Sequence, residues 1–333
     1  MSLTCTTYRI AAKHLLRVGT KWPASKLFGA GRLYLFFSFI VLFVACSPNK
    51  KMSTTPTTMF DKQGHRGCRG NMPENTIPAM LHALAAGVTT LEMDVLFTKD
   101  SVAILSHEPF FNHEITTINP GTPTAAYITQ NEEKNLNIYQ MTYAQTQQYD
   151  VGLKPHPRFV QQQKMAVTKP SLAAVFDSVA AYLNTNPRPH PYFNIETKTT
   201  PATDHLYHPP PAAFIQMLVK LIQEKNMERW VTIQSFDVRT LQYLHQHYPQ
   251  IPAVLLVEDA DRKGLDAQIK TLGFTPAVYS PHYSLVTAAL VAQCHARQLK
   301  IIPWTVNDSA SITRLKQLGV DGIITDYPTL LNH

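Results

Sequence analysis

The run LEMDV carries two carboxylates among apolar residues. Glu92 and Asp94 are two positions apart, so on a β-strand both side chains point to the same face. Two ionised carboxylates on one buried face are unfavourable unless an opposite charge compensates them. A hard divalent cation binds such oxygen ligands, and Glu196 in the run YFNIET can supply a third. The pattern predicts a metal site, with ion pairing to Arg66 and Lys198 as the alternative.

Two histidines accompany these acids. His65 ends the first β-rich run and His107 ends the third. Imidazole titrates near neutral pH, so it can either take or give a proton. Arg66 and Lys198 add positive charge suited to phosphate oxygens, whereas nearby Arg69 could touch substrate but is interpreted as a solvated side chain. This combination predicts acid–base hydrolysis of a phosphodiester, in which one group activates the attacking oxygen and another protonates the leaving alkoxide.

The elements that must position these residues are short β-rich runs alternating with helical patterns, which predict a parallel α/β sheet. The runs are 62–65, 90–95, 102–107, 192–197, 231–235, 253–257, 277–280, 301–306 and 322–325. The second and third are too close in sequence for a parallel crossover, which needs about a dozen residues, so they form an antiparallel hairpin. The remaining eight predict a TIM-like (β/α)8 barrel, with the hairpin and an insertion after strand 2.

Active sites of such barrels lie at the carboxyl ends of the strands. The polar residues predicted there are His65, Arg66, Glu92, Asp94, Glu196, Lys198, Gln234, Ser235, Glu258, His282, Trp304 and Asp326. Helices are predicted over 76–86, 170–183, 211–225, 238–247, 285–297 and 309–318. Residues 112–169 are too many for an ordinary loop, so we interpret them as a cap over the barrel mouth with a helix near 142–149.

The amino-terminal residues read as an export signal. A basic stretch precedes the apolar run 33–45, which is short for a membrane span and typical of a lipoprotein signal peptide ending before Cys46. An uncleaved signal anchor is the alternative. Residues 46–59 are predicted to be a flexible tether, and 60–333 the catalytic barrel. Six of the 30 basic residues precede Cys46, so the remainder is nearly neutral, which argues against nucleic-acid binding.

The motifs from residue 60 onward resemble, in order and spacing, the glycerophosphodiester phosphodiesterase family. They are Gly64-His65-Arg66-Gly67, Pro73-Glu74-Asn75-Thr76, LEMDV, Thr98-Lys99-Asp100, NIETK, QSFD, Trp304-Thr305-Val306-Asn307 and VDGIITDYP. The resemblance implies that His65 and His107 are the acid–base pair and that Glu92, Asp94 and Glu196 hold one Ca²⁺ or Mg²⁺. It also implies that Arg66 and Lys198 contact the phosphate, and that Glu74 positions Arg66 or substrate. Trp304 would line the glycerol side. One departure is His107-Glu108, where the family usually has His-Asp.

The implied reaction is hydrolysis of a glycerophosphodiester, such as glycerophosphocholine or glycerophosphoethanolamine, to sn-glycerol 3-phosphate and an alcohol. One alternative is a phospholipase C- or D-like enzyme on intact lipids, for which Phe110 and Phe111 could form an apolar rim or merely an inner wall. Another is an inactive barrel that binds glycerophosphodiesters at the cell surface. The expected partners are the small-molecule substrate and a membrane holding lipidated Cys46, with no obligatory protein partner. The expected location is the periplasm or outer membrane of a Gram-negative bacterium.

Overall fold

The computed structural model describes residues 59–118 and 126–332. The predicted signal peptide (1–45), the lipid-bearing Cys46 and the predicted tether up to residue 58 lie outside these ranges and stay predictions. Within the described ranges, no helix combines the length and apolar character needed to cross a bilayer.

The described residues form twelve β-strands. They are β1 (Asp61–Gly64), β2 (Thr90–Phe97), β3 (Ala103–Leu105), β4 (Thr117–Ile118), β5 (Ala126–Tyr127), β6 (Tyr149–Asp150), β7 (Tyr192–Thr197), β8 (Val231–Ser235), β9 (Ala253–Val257), β10 (Val278–Pro281), β11 (Lys300–Ile301) and β12 (Gly322–Thr325). Eight of them are neighbours in the order β11, β10, β9, β8, β7, β2, β1, β12, and every adjacent pair along this path is parallel.

The barrel closes between β12 and the segment that follows β11. Strand β11 ends at Ile301. Pro303, two residues later, has no amide hydrogen to donate to a neighbouring strand. Beyond it, the Ile324 N–H donates to the Pro303 carbonyl at 3.0 Å, and the Val306 N–H donates to the Ile324 carbonyl at 3.0 Å. The predicted eight-stranded barrel is therefore confirmed.

The second and third predicted strands form the expected antiparallel hairpin. Val95 of β2 lies opposite Leu105 of β3 in the pairing register. The hairpin turn is held by Thr98, whose hydroxyl donates to Asp100 Oδ1 at 2.6 Å and accepts from the Val102 N–H at 3.0 Å. The returning arm therefore brings the chain back alongside Asp94, whose carbonyl accepts from the Ser106 N–H at 3.1 Å.

Helices alternate with the barrel strands. They are α1 (Ile77–Ala85), α2 (Tyr143–Thr146), α3 (Leu172–Thr185), α4 (Pro211–Glu224), α5 (Val238–His247), α6 (Leu265–Leu272), α7 (Ala288–Ala296) and α8 (Ser309–Leu318). Short 3₁₀ turns lie at Glu133–Asn135, Ile138–Gln140, Pro201–Thr203, Glu228–Trp230, Tyr283–Leu285 and Pro328–Asn332.

Two helices of the barrel differ from prediction. Helix α6 was not predicted, because it has eight residues and its buried positions include the polar Gln268, which weakens the apolar periodicity. Helix α7 begins at Ala288 rather than at 285, because the Thr287 side chain accepts from the Leu290 N–H and caps the helix there.

The insertion has a small core of its own. Strands β5, β4 and β6 form an antiparallel sheet. Apolar side chains from the insertion pack with Leu96 and Ile104 of the hairpin in a cluster of Leu96, Ile104, Phe111, Ile115, Ile128, Ile138 and Val151. The helix predicted near 142–149 is limited to α2, because the chain turns into β6. The insertion is thus packed structure rather than a loose loop.

The loop after β1 depends on a close approach to helix α1. Arg66 and Gly67 are consecutive residues with positive φ, at 49° and 82°. A Cβ at Gly67 would lie 2.6 Å from the carbonyl carbon of Ala79 in α1. Only glycine adopts this backbone without strain while also allowing that approach, so Gly67 fixes where the preceding His65 and Arg66 are presented.

We expect Gly67→Ala to lower the free energy of unfolding by about 2–4 kcal/mol, from left-handed backbone strain and overpacking together. Gly273→Ala is the matched control, because Gly273 has φ 86° and a Cβ added there would meet no atom within 4 Å. The control should lose only the backbone strain, about 1–2 kcal/mol. Urea unfolding midpoints measure both; equal losses would contradict the close-approach argument.

Candidate active site

A cavity of about 490 Å³ lies at the carboxyl ends of the barrel strands. Most of the polar strand-end residues predicted from the sequence line it. The predicted residues lining the cavity are His65, Arg66, Glu92, His107, Glu196, Lys198, Gln234, Glu258, His282, Trp304 and Asp326. Arg69 and Arg158 also line it, and Arg158 comes from the insertion. The insertion therefore reaches the mouth, as a cap would.

Three carboxylates converge at the base of this cavity. Glu92, Asp94 and Glu196 are buried, and one oxygen atom of each lies within 4.8 Å of the others. Asp94 and Glu196 are direct partners in the register of β2 and β7. Asp94 Oδ1 is buried and accepts no hydrogen bond from a described residue. An all-oxygen donor set with an unsatisfied buried oxygen fits a hard divalent cation.

The same acids also contact the two predicted cations. Lys198 Nζ lies 2.7 Å from Glu196 Oε1 and 3.6 Å from Asp94 Oδ1, and Arg66 Nε lies 3.2 Å from Asp94 Oδ2. Burial alone would raise the pKa of Asp94, but these two cations hold it well below its usual range. The ion-pairing alternative is thus present in the geometry for Asp94 and Glu196.

Glu92 is not neutralised in this way. Its oxygens accept from the Arg66 N–H at 2.7 Å and from Gln234 Nε2 at 2.8 Å. Burial, together with the carboxylates of Asp94 and Glu196, raises the pKa of Glu92 well above its ordinary value. Burial also raises the pKa of Glu196 to about 7, despite Lys198. No lysine or arginine side chain among the described residues forms an ion pair with Glu92, whereas Asp94 and Glu196 have such partners. This asymmetry agrees with the fit to a bound cation.

Residues of the loop before α1 hold this cluster in place. Asn75 donates to Asp94 Oδ2 at 2.8 Å and accepts from the Asp94 N–H at 3.1 Å. Glu74 accepts from Arg66 Nη1 at 2.8 Å. Burial would raise the pKa of Glu74, but Arg66 and Arg69 lower it to about 2. Glu74 does not line the cavity, so its contact agrees with positioning Arg66 rather than with touching substrate.

His65 is oriented by a buried carboxylate. His65 Nδ1 and Asp326 Oδ1 are 2.7 Å apart, so the carboxylate fixes the proton on Nδ1. His65 Nε2 then carries the lone pair and lies 3.9 Å from Glu92 Oε2. Burial lowers the pKa of His65 to about 4, although Asp326 opposes the shift. The imidazole is therefore neutral at pH 7 and able to accept a proton.

His107 has an equivalent partner on its own loop. His107 Nδ1 and Glu108 Oε1 are 2.7 Å apart, and the imidazole side chain is 31% exposed at the cavity. Burial, with Arg66 and Lys198, lowers the pKa of His107, while Asp94 and Glu108 raise it. Each histidine thus points its Nδ1 at a carboxylate and leaves Nε2 for another group.

Trp304 forms one wall of the cavity. Its Nε1 donates to the Ser280 carbonyl at 2.9 Å. Its ring meets Phe236 with centroids 5.4 Å apart and His282 with centroids 5.5 Å apart. The wall is therefore a fixed aromatic corner, suited to the carbon skeleton of a small substrate.

The structure corrects two interpretations of side chains near the site. Arg69 is not solvated: it is buried, and its Nε and Nη2 donate to Asp326 at 3.0 and 3.1 Å. Phe111 is fully buried, with its ring 4.5 Å from that of Tyr149, so it forms no lipid-facing rim. The sequence predicts Asp326 at a strand end but assigns it no role. In a closed barrel the first and last strands are neighbours, as β1 and β12 are, and this adjacency could have indicated that Asp326 meets His65.

Comparison with known proteins agrees with the fold and motifs. Residues 65–330 match the model of the glycerophosphoryl diester phosphodiesterase family. A glycerophosphodiester phosphodiesterase of Bacillus altitudinis is 30% identical over 267 residues, which is 79% of this chain and 93% of the relative. The chain belongs to this family.

Solved structures give the same fold. A putative glycerophosphoryl diester phosphodiesterase of Silicibacter pomeroyi superimposes with a TM-score of 0.71 at 30% identity, covering 83% of this chain and 92% of that one. An Oleispira antarctica phosphodiesterase, in complex with the product sn-glycerol-3-phosphate, superimposes with a TM-score of 0.62 at 20% identity, covering 82% and 96%. The eight-stranded barrel is thus shared with this family.

We expect Asp326→Asn to lower kcat about 10²–10⁴-fold, because an amide no longer fixes the His65 tautomer as a carboxylate does. Initial rates of phosphodiester hydrolysis measure this, with circular dichroism confirming the fold. Asp321→Asn is the matched control, because Asp321 pairs with His295 at 3.0 Å away from the cavity lining, and its kcat should stay within about twofold of the parent. A parent-like kcat for Asp326→Asn would show that the pair does not orient His65 for turnover.

Proposed function

We propose that this protein hydrolyses glycerophosphodiesters to sn-glycerol 3-phosphate and an alcohol. The observation that carries the proposal is the meeting, in one cavity, of two carboxylate-oriented histidines and two cations with a cluster of three acids, of which Glu92 and Glu196 line the cavity. The relatives named for this activity, and the product bound to the Oleispira antarctica enzyme, support the same substrate class.

The phosphate is bound beside Arg66 and Lys198. Both side chains line the cavity, and both stay protonated at neutral pH: burial disfavours their charge, but neighbouring carboxylates raise the pKa of each. Charged donors of this kind stabilise the extra negative charge that develops on phosphoryl oxygens in the transition state. Glu74 keeps the guanidinium of Arg66 aimed at this place.

His65 acts as the general base. Asp326 holds the proton on Nδ1, so Nε2 can take a proton from the attacking oxygen, which belongs to water or to the substrate's own 2-hydroxyl. The imidazolium that forms is stabilised by the Asp326 carboxylate. Burial would raise the pKa of Asp326, but His65 and Arg69 hold it below its usual range, so it stays ionised.

His107 acts as the general acid. It lies at the end of the hairpin arm and is more exposed than His65, where the leaving alcohol can depart to solvent. Its proton goes from Nε2 to the leaving oxygen. Glu108 at Nδ1 and Asp94 oppose the lowering of the His107 pKa by burial, Arg66 and Lys198. Trp304, in the aromatic corner, contacts the glycerol carbon skeleton.

Glu92, Asp94 and Glu196 would hold one divalent cation, Ca²⁺ or Mg²⁺. When bound, such an ion supplies positive charge that polarises a phosphoryl oxygen. Gln234 and Asn75 keep two of these carboxylates in position through hydrogen bonds at 2.8 Å.

The direct test is release of sn-glycerol 3-phosphate from glycerophosphocholine and glycerophosphoethanolamine with Ca²⁺, Mg²⁺ or EDTA. We expect release with one of the ions and a loss of about a hundredfold or more in EDTA, because the carboxylate cluster needs the cation's charge. Lysophosphatidylcholine and diacyl phosphatidylcholine are assayed in parallel. Faster turnover of the diacyl lipid would favour the phospholipase alternative, and binding of glycerophosphodiester without turnover would favour the inactive barrel.

Glu196→Gln tests the metal ligands separately from turnover. The shift in melting temperature with added Ca²⁺ or Mg²⁺ reports binding to the folded protein. We expect the variant to bind at least about tenfold more weakly, since a charged ligand is lost. Glu224→Gln on the outer surface of α4 is the control, because Glu224 contacts only Lys220 among the ion pairs of described residues. Unchanged affinity for Glu196→Gln removes it from the ligand set.

The acid–base pair predicts a further result. His65→Ala and His107→Ala should each lower kcat about 10²–10⁴-fold with the fold intact, because each removes one proton transfer. His295→Ala, on the pair that lies away from the cavity lining, serves as the control.

A substrate whose leaving group is p-nitrophenol separates the two roles, because this leaving group needs little protonation. Turnover of this substrate should recover more in His107→Ala than in His65→Ala. The opposite ordering would reverse the assignment of base and acid.

A further inference from the structure

The insertion ends in a buried lysine beside the active site. Lys169 is 5% exposed and directly precedes Pro170. Burying an ammonium group is unfavourable unless hydrogen bonds and charges compensate it. Lys169 does not line the cavity, so it has no direct contact with substrate to account for its position.

Its contacts lead to the loop that carries His107. Lys169 Nζ donates to Ser106 Oγ at 2.8 Å and lies 5.4 Å from the centre of the Phe111 ring. That hydrogen bond is the one its ammonium makes to a described residue. Ser106 is itself fully buried. The ammonium is therefore directed at a single hydroxyl next to the histidine.

Ser106 connects β2 to the residue after His107. Its hydroxyl donates to the Glu108 carbonyl at 2.6 Å, and its N–H donates to the Asp94 carbonyl at 3.1 Å. The turn 106–108 is thus fixed to β2 on one side and closed over His107 on the other. Because the hydroxyl donates to Glu108, its lone pairs remain to accept from Lys169.

The backbone holds Lys169 in place for this contact. The Leu105 N–H donates to the Pro170 carbonyl at 2.9 Å, which ties the residue after Lys169 to β3. Gln147 Nε2 donates to the Lys169 carbonyl at 2.9 Å. The end of the insertion and the arm that carries His107 are therefore one hydrogen-bonded unit.

We propose that Lys169 is a positioning residue for His107, fixing the Ser106 hydroxyl and with it the turn that aims the imidazole at the leaving group. The inference rests on the proposed function, in which His107 is the general acid. Burial lowers the pKa of Lys169 to about 8, while the carboxylates of Glu74, Glu108 and Asp94 oppose the shift. The side chain is thus mainly protonated at pH 7 and able to donate.

The kinetic test is a double-mutant cycle on glycerophosphocholine. Lys169→Met and Ser106→Ala should each lower kcat about tenfold or more with KM within about threefold, because a misaimed acid slows chemistry more than binding. The double variant should be no slower than the worse single variant, since both changes break one chain of contacts. Lys225→Met is the control: Lys225 pairs with Asp177 at 2.8 Å away from the cavity lining and should keep parental kcat. Multiplicative losses in the cycle, or parental kcat in folded Lys169→Met, overturn the proposal.

A second readout does not depend on turnover. The imidazole Cε1–Hε1 NMR signal of His107, assigned by its loss in His107→Gln, should shift or broaden in Lys169→Met, while the signal of His295 stays unchanged. An unchanged His107 signal overturns the proposal. If the parent hydrolyses no glycerophosphodiester, the proposed function fails, but this signal still decides the positioning role. If Lys169→Met does not fold, Ser106→Ala is judged by the same signal.

Discussion

Three carboxylates buried within 4.8 Å of one another are the constraint on which the rest of the site depends. Their mutual repulsion is strong in a low-dielectric interior, and the two cations that contact the cluster, Arg66 and Lys198, do not neutralise all three acids. Hydrogen-bond donors partly compensate the acids: the Arg66 N–H and the Gln234 amide donate to Glu92, and the Asn75 amide donates to Asp94. The charge that remains uncompensated is the reason why this place suits the divalent cation that we propose.

The closed barrel makes such convergence possible from distant parts of the chain. His65 follows β1 and Asp326 follows β12, more than two hundred residues later, yet these strands are neighbours. The left-handed backbone at Arg66 and Gly67 then turns the chain so that the Arg66 N–H faces Glu92. Strand adjacency sets which residues meet, and local backbone conformation sets which atoms they present.

The barrel, its hairpin and most of the cavity lining could be predicted from the sequence, because strand periodicity and strand-end position are local properties with a fixed geometric meaning. Arg69 and Lys169 could not, because whether a charged side chain is buried depends on packing of the loop and the insertion against the barrel. Helix α6 was missed for a related reason: a polar residue, Gln268, occupies one of its buried positions. Whether these polar side chains are buried is set by tertiary contacts, which hydrophobic periodicity does not report.

The departure at Glu108 illustrates which property of a site residue is constrained. A carboxylate one residue after the histidine must reach back to Nδ1, and Glu108 does so at 2.7 Å while its own backbone carbonyl accepts from Ser106. The additional methylene is absorbed by a side chain that is one-third exposed, where packing imposes no fixed volume. Asp326, by contrast, is fully buried and contacts Arg69, Asn307 and His65 at once, so a longer acid there would displace three partners. Burial therefore sets whether a longer acid is tolerated at each histidine partner, while a carboxylate is present at both.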